Sequence, residues 1–172
     1  MRKPVLILLL LLCASLPALA YDAQVCGLVQ VFFSPHGGCT EAVVHELDQA
    51  KNSALVQAYS FTSKPLLDAL VRAQGRGVHV RVISDRTNET SGGSVTHDLQ
   101  AAGIDVGYDE VHRIAHNKVM ILDGETVLTG SFNWTRAAED TNAENLLVVK
   151  SPDLARVYTA RWEELRAICV DR

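Results

Sequence analysis

Asp123-Gly124 stands between two apolar runs, Val119–Leu122 and Thr126–Leu128. Asp-Gly is the strongest short signal for a β-hairpin, because both central turn residues need a positive φ that these two tolerate. Around that hairpin, strands and helices alternate. Val29–Phe33 reads as a strand ended by Ser34-Pro35-His36-Gly37-Gly38, and Thr40 caps a helix with Val43, Val44, Leu47 and Ala50 on one face. Residues 54–59 form a short strand. Ser63-Lys64-Pro65 opens a second helix with Leu66, Leu67, Leu70 and Val71 inward, stopped by Gly75 and Gly77. Val78, Val80 and Val82 alternate with His79 and Arg81, the pattern of a half-buried strand. Residues 87–93 are a polar loop; a helix then runs through Leu99 to Gly103, with further strands at 104–108 and 145–150. Ser151-Pro152-Asp153 starts a last helix carrying Leu154, Val157, Tyr158, Trp162 and Leu165 on one face. With no linker and no internal repeat, the expected architecture is a single α/β domain over residues 21–172, a mixed β-sheet sandwiched by helices.

Residues 1–20 form a separate element. A charged start at Arg2 and Lys3, an apolar run Val5–Leu12 and a small-x-small ending at Ala18 and Ala20 give the pattern of a secretory signal peptide. The run is too short for a spanning helix, which takes about 20 residues; the alternative is an uncleaved anchor. The expectation is a periplasmic or secreted protein with no stable membrane anchor after cleavage. Cleavage removes Arg2 and Lys3 and no acidic residue, so the net charge moves from −4 to −6. The composition excludes a disordered, collagenous or multi-span membrane chain. A net negative charge also counts, at first sight, against a polyanionic partner. Cys13 leaves with the signal, and Cys26, Cys39 and Cys169 remain. One disulfide plus one free thiol is the simplest reading, with Cys26–Cys39 as the first choice because it closes a short loop. A zinc site recruiting His36 lacks the tight Cys-x-x-Cys pair such sites use.

The hairpin itself carries chemistry. A two-residue turn pairs Leu122 with Glu125, Lys118 with Thr129 and His116 with Ser131, with Asn133 just beyond. His116 and Lys118, two apart, share a strand face. An imidazole, an ammonium, a hydroxyl and an amide then converge on one patch. Lysine neutralises a phosphate oxygen, Ser131 and Asn133 donate to the others, and a histidine can attack phosphorus and hold a covalent intermediate.

His116-x-Lys118-x4-Asp123-x6-Gly130-Ser131-x-Asn133 resembles the signature of the phospholipase D superfamily. Tyr59-Ser60-Phe61-Thr62, the strand Gly77–Val82 and Glu144-Asn145 resemble its small single-motif members, the bacterial periplasmic endonucleases and the mitochondrial cardiolipin hydrolases. The likeness spans residues 28–166. It implies phosphodiester cleavage by two such motifs in one site, and so a homodimer, since this chain has one. It implies catalytic roles for His116, Lys118, Asp123 and Glu144, with Glu144 behind the imidazole to fix its tautomer. Asp123, in the turn, is ranked as structural. Lys118, Ser131 and Asn133 would hold the phosphate. No metal and no other cofactor is implied. The favoured reading is an exported endonuclease on DNA or RNA working through a phosphohistidine; the alternatives are a phospholipase D acting on phospholipid and, more remotely, a catalytically silent binding module on the same fold.

His112 and Arg113 are substrate-binding candidates beyond the phosphate, with an exposed loop pair as the plain alternative. Phe132 and Trp134 flank Asn133; one of them could stack on a base or face an acyl chain, though Phe132 reads more as core. Asn88-Glu89-Thr90 forms a glycosylation sequon by pattern only.

Overall fold

The computed structural model describes residues 27–172 together with Ala23 and Val25. The segment read as a signal peptide and Cys26 lie outside the described residues. Eight strands form one sheet: β1 (Val29–Ser34), β2 (Ser53–Ala58), β3 (His79–Asp85), β4 (Asp105–Asp109), β5 (Lys118–Leu122), β6 (Thr126–Gly130), β7 (Glu144–Lys150) and β8 (Val170–Asp171). Their order across the sheet is β1-β7-β6-β5-β2-β3-β4-β8. β2, β3 and β4 run parallel, and every other pairing is antiparallel. The expected mixed sheet is therefore present.

Helices cover both faces. On one side α1 (Cys39–Gln49), α2 (Lys64–Gly75) and α4 (Thr96–Ala101) contribute Val43, Leu47, Leu66, Leu70 and Leu99. These pack on the even-numbered side chains Val56, Met120, Leu128 and Val148 of the sheet. On the other side α6 (Pro152–Arg166) lays Ala155, Trp162 and Leu165 on Leu55, Ile83, Val119, Ile121 and Val127. The central strands are buried on both faces, which is why their sequences read as nearly continuous apolar runs. Two indoles tie the layers to β2. Trp162 Nε1 donates to the Val56 carbonyl at 3.0 Å and Trp134 Nε1 to the Gln57 carbonyl at 2.9 Å. Both rings are fully buried, so Trp134 is a core residue and does not stack on a substrate. Phe132 is buried beside it.

Helix caps follow the sequence at one end of the chain and depart from it at the other. Ser151 caps α6 through Leu154 N–H at 3.3 Å, with Pro152 in the first turn. The N-cap of α1 is Gly38 rather than Thr40, and no local side chain caps the helix. The Glu139 carboxylate does so from α5 (Arg136–Asp140), accepting the N–H groups of Gly38 at 3.2 Å and Thr40 at 2.7 Å. A residue ninety-nine positions from Thr40 replaces the local hydroxyl, and no local pattern could announce it. Within the loop expected at 87–93, a short helix α3 (Thr87–Thr90) carries Asn88, which is buried at 3% exposure. The sequon is thus closed to modification. Cys39, expected in a disulfide with Cys26, is a free thiol buried at the start of α1. Burial first, then the charges of Glu139 and Glu41, push its pKa up to about 11.

The hairpin is present with its register moved by one. Asp123 and Gly124 take φ of 55° and 67°, and Glu125 N–H bonds the Leu122 carbonyl at 3.0 Å. Leu122 nevertheless pairs with Thr126 and Val119 with Thr129, leaving Glu125 as an extra residue in the loop. The Asp123 side chain ties the turn to the neighbouring strand. Its Oδ1 accepts Asn52 N–H at 2.7 Å and Ser53 N–H at 2.9 Å, and its Oδ2 accepts Lys51 N–H at 2.9 Å. Asp123 N–H in turn donates to the Ser53 carbonyl at 2.9 Å. The turn is thereby pinned to the start of β2. Burial acts to raise the Asp123 pKa, but the backbone donors of Ser53, Asn52 and Lys51 outweigh it and hold the carboxyl below its ordinary value. A depressed folded-state pKa stabilises the fold above the unfolded value of about 3.9, and that contribution disappears as pH falls through the folded value. Asp123→Ala should cost about 1–3 kcal/mol at neutral pH, since three N–H groups lose their acceptor. Urea melts at pH 7 and pH 3 test this: the gap between variant and parent should narrow at the lower pH.

Candidate active site

The strand ends converge at one edge of the sheet. Ser34 pairs with Glu144, Gly130 with Leu146, Lys118 with Ala58, and Asp85 with Asp109. This is the edge at which the parallel strands β2–β4 end, the usual ligand side of such a sheet. Lys118 stands here on the face covered by α1 and α2, and His116 lies on the loop just before β5. His116 is exposed, while Lys118 is buried to 6% exposure. Lys118 Nζ donates to the His116 carbonyl at 2.7 Å and lies 4.9 Å from the centre of the Tyr59 ring. That same ring sits 4.4 Å from the imidazole, centre to centre. Burial lowers the Lys118 pKa, and the Glu144 charge works against the shift.

Gly130 leaves room beside that ammonium. One step along the ladder from the Val119–Thr129 pair, Lys118 lies opposite Gly130, which is itself opposite Leu146 of β7. A side chain there would stand between Lys118 and the start of β7. It would also collide with the backbone, because a Cβ on Gly130 would sit 2.2 Å from the Asn145 carbonyl oxygen.

The loop into His116 is held by buried carboxylates that the motif does not include. Asp85, 1% exposed, accepts Ala115 N–H through Oδ2 at 2.7 Å and Thr87 N–H and Oγ1 through Oδ1 at 2.9 and 2.5 Å. Asp109 accepts the N–H groups of Val111 and His112 at 3.1 and 3.0 Å and meets His112 Nδ1 at 2.8 Å. Burial pushes the Asp109 pKa up, but these hydrogen bonds from His112 and Val111 bring it below its ordinary value. Residues 59–63 after β2 and 131–135 after β6 lace together. Thr62 and Ser63 N–H both donate to the Trp134 carbonyl, at 2.9 and 3.0 Å.

The expected site residues separate into groups. His116 and Lys118 come together, and Glu144 acts on Lys118. The Glu144 carboxylate accepts Asn142 Nδ2 at 3.1 Å, and among the described residues it makes no hydrogen bond with the imidazole. Ser131 does not face His116, because the shifted register breaks that pairing. Its Oγ instead accepts Asn145 N–H at 3.0 Å and Asn145 Nδ2 at 3.3 Å. Asn133 is half-buried, and its Oδ1 is enclosed without a hydrogen-bond partner in the protein. Asp123 is at the far end of β5, roughly 17 Å from Lys118 at about 3.3 Å per residue. It holds the turn and does not reach the His116 and Lys118 edge of its own chain. His112 and Arg113 are exposed on the loop before His116, and His112 is engaged by Asp109. Tyr59, Asp85, Asn88 and Asn145 were not expected in the site. A buried acid directly after an apolar strand, at Asp85, was the one local sign of a structural anchor.

A family model for the cardiolipin synthase, phospholipase D-like domain matches residues 43–166. Phospholipase D of Rickettsia felis is 44% identical over 139 residues, covering 81% of this chain and 70% of the relative. Mitochondrial cardiolipin hydrolase of Xenopus laevis is 32% identical over 148 residues, covering 80% of this chain and 70% of the relative. The chain belongs to the phospholipase D superfamily. A solved member of that family, Nuc from Salmonella typhimurium, superposes with a TM-score of 0.81 at 38% identity, over 84% of this chain and 97% of Nuc. The protein is accordingly a phosphodiesterase hydrolase, and the edge holding His116 and Lys118 is where its family signature falls.

A buried ammonium costs folding energy unless it is used. Lys118→Met, which keeps the length of the side chain, should leave the melting temperature unchanged or higher. Its turnover of a phosphodiester should fall by about 100-fold or more, the scale set by removing one preorganised electrostatic donor.

Proposed function

We propose that the protein cleaves nucleic-acid phosphodiesters through a phosphohistidine, in a site completed by a second copy of the chain. The observation that carries the reading is the exposed His116 imidazole and the buried Lys118 ammonium gathered on one Tyr59 ring. The imidazole is open to a substrate, and the ammonium is held where low dielectric strengthens its grip on a phosphate oxygen. His116 of one protomer attacks phosphorus. His116 of the partner subunit protonates the leaving oxygen and then activates water. Lys118 and the half-buried Asn133 hold the non-bridging oxygens, and Glu144 balances the lysine charge. Lysine and protonated imidazole supply the positive charge, so no metal enters the cycle. The pattern of residues 1–20 supports export to the periplasm or beyond.

Nucleic acid is favoured by the surroundings of the site. Beside the His116 loop, on the α6 side of the sheet, a cavity of about 220 Å³ is lined by Gln57, His112, Asn117, Tyr158 and Arg161, with Ile114, Ala115, Val119 and Leu165 as its apolar part. The polar members are partners for a sugar or base. A phospholipid substrate is the second reading, favoured by a different observation. Val111 and Ile114 on that loop are 66% and 50% exposed, and Phe33 at the end of β1 is 65% exposed, as a lipid surface would require.

Assays on plasmid DNA, single-stranded RNA and cardiolipin vesicles, run in parallel, decide between the two; turnover of lipid alone would reject the nuclease. His116→Ala should remove all measurable turnover. EDTA should leave the rate unchanged, and loss of activity restored by magnesium would contradict the metal-free cycle. Sedimentation of the active species should give a dimer.

A further inference from the structure

We propose that Tyr59 is a positioning residue for the phosphodiesterase reaction: its ring orients the His116 imidazole and holds the Lys118 ammonium beside it. The ring planes of Tyr59 and His116 are inclined at 52° with centres 4.4 Å apart. Lys118 Nζ stands 4.9 Å from the same ring centre. One aromatic side chain therefore touches both groups that the reaction needs.

The ring is itself held from behind. Tyr59 follows β2 directly, one residue beyond the Ala58–Lys118 pair. Its carbonyl accepts Asn88 Nδ2 at 2.7 Å, and Asn88 Oδ1 receives Phe61 N–H at 3.3 Å. Asn88 is buried and also donates to Ser84 Oγ at 2.9 Å. The amide thus clamps the backbone on both sides of Ser60, so the Tyr59 ring has a fixed origin.

Two physical effects follow. An exposed imidazole samples several rotamers, and only a few place a ring nitrogen in line with phosphorus; packing against Tyr59 removes the others. A cation against an aromatic face also recovers part of what its desolvation costs, which suits an ammonium as buried as Lys118. Both effects belong to the ring. Among the described residues the Tyr59 hydroxyl makes no hydrogen bond to His116 or Lys118.

The test rests on the phosphodiesterase reading and separates the two. Tyr59→Phe keeps the ring; Tyr59→Leu and Tyr59→Met remove it in two shapes, so that one misfolded variant does not end the experiment. Turnover of bis(p-nitrophenyl) phosphate is measured for each, with the His116 ring resonances read by NMR. Phe should stay within about threefold of the parent in kcat and KM, while Leu and Met should lose about 10- to 100-fold in kcat with little change in KM, the cost of lost orientation. The His116 resonances should be preserved in Phe and displaced in Leu and Met. Equal loss in Phe and Leu would overturn the proposal by assigning the effect to the hydroxyl. Full kcat with unmoved His116 resonances in Leu or Met would also overturn it. A parent protein inert toward the diester would reject the phosphodiesterase reading, while the resonances would still decide what the ring does.

Discussion

The carboxylate of Asp123 fixes the strand that carries the site. By taking three backbone N–H groups from the start of β2, it sets where β5 lies between β2 and β6. A strand alternates faces with period two, so a slip of one residue would turn Lys118 from one face to the other. Lys118 is on the face with Gly130 and beside the Tyr59 ring, and the distant turn helps to hold it there. Asp123 acts on this edge through the strand, from its far end.

The site is assembled from chain segments that end together. Strands β2, β3 and β4 stop at one edge, and each contributes a residue that holds or touches the His116 region: Tyr59 just past β2, Asp85 of β3 and Asp109 of β4. Asp85 and Asp109 are almost fully buried, and their oxygens are occupied by the N–H groups of Val111, His112 and Ala115 together with Thr87 and the His112 ring. Such hydrogen-bonded carboxylates fix loop geometry without exposing negative charge to an anionic substrate. The His116 imidazole is accessible on a loop anchored in this way.

Much of the fold was legible because its signals are local. The alternation of apolar residues gave the strands, Ser151-Pro152-Asp153 gave the last helix, and the signature from His116 to Asn133 gave the chemistry. What escaped depended on distant partners. The start of α1 is set by Glu139, and the Thr40 hydroxyl has no part in it. The hairpin turn is tied down by an aspartate whose donors precede it by some seventy residues. Ser131 follows the observed register and turns to Asn145. Asn88 sits in a sequence that reads as surface, yet its amide has enough backbone partners to be buried, and no short pattern distinguishes the two cases. Tyr59 was visible only as part of a familiar string, because its importance lies in a contact between β2 and β5.

Gly130 has a consequence for which changes the sheet tolerates. A Cβ there would lie 2.2 Å from the Asn145 carbonyl oxygen, so even alanine would force β6 and β7 apart. That displacement would fall one pairing step beyond Val119 and Thr129, opposite Lys118 at the start of β5. A single methyl group, far smaller than any charged side chain, would in this way reach the site through the backbone of two strands.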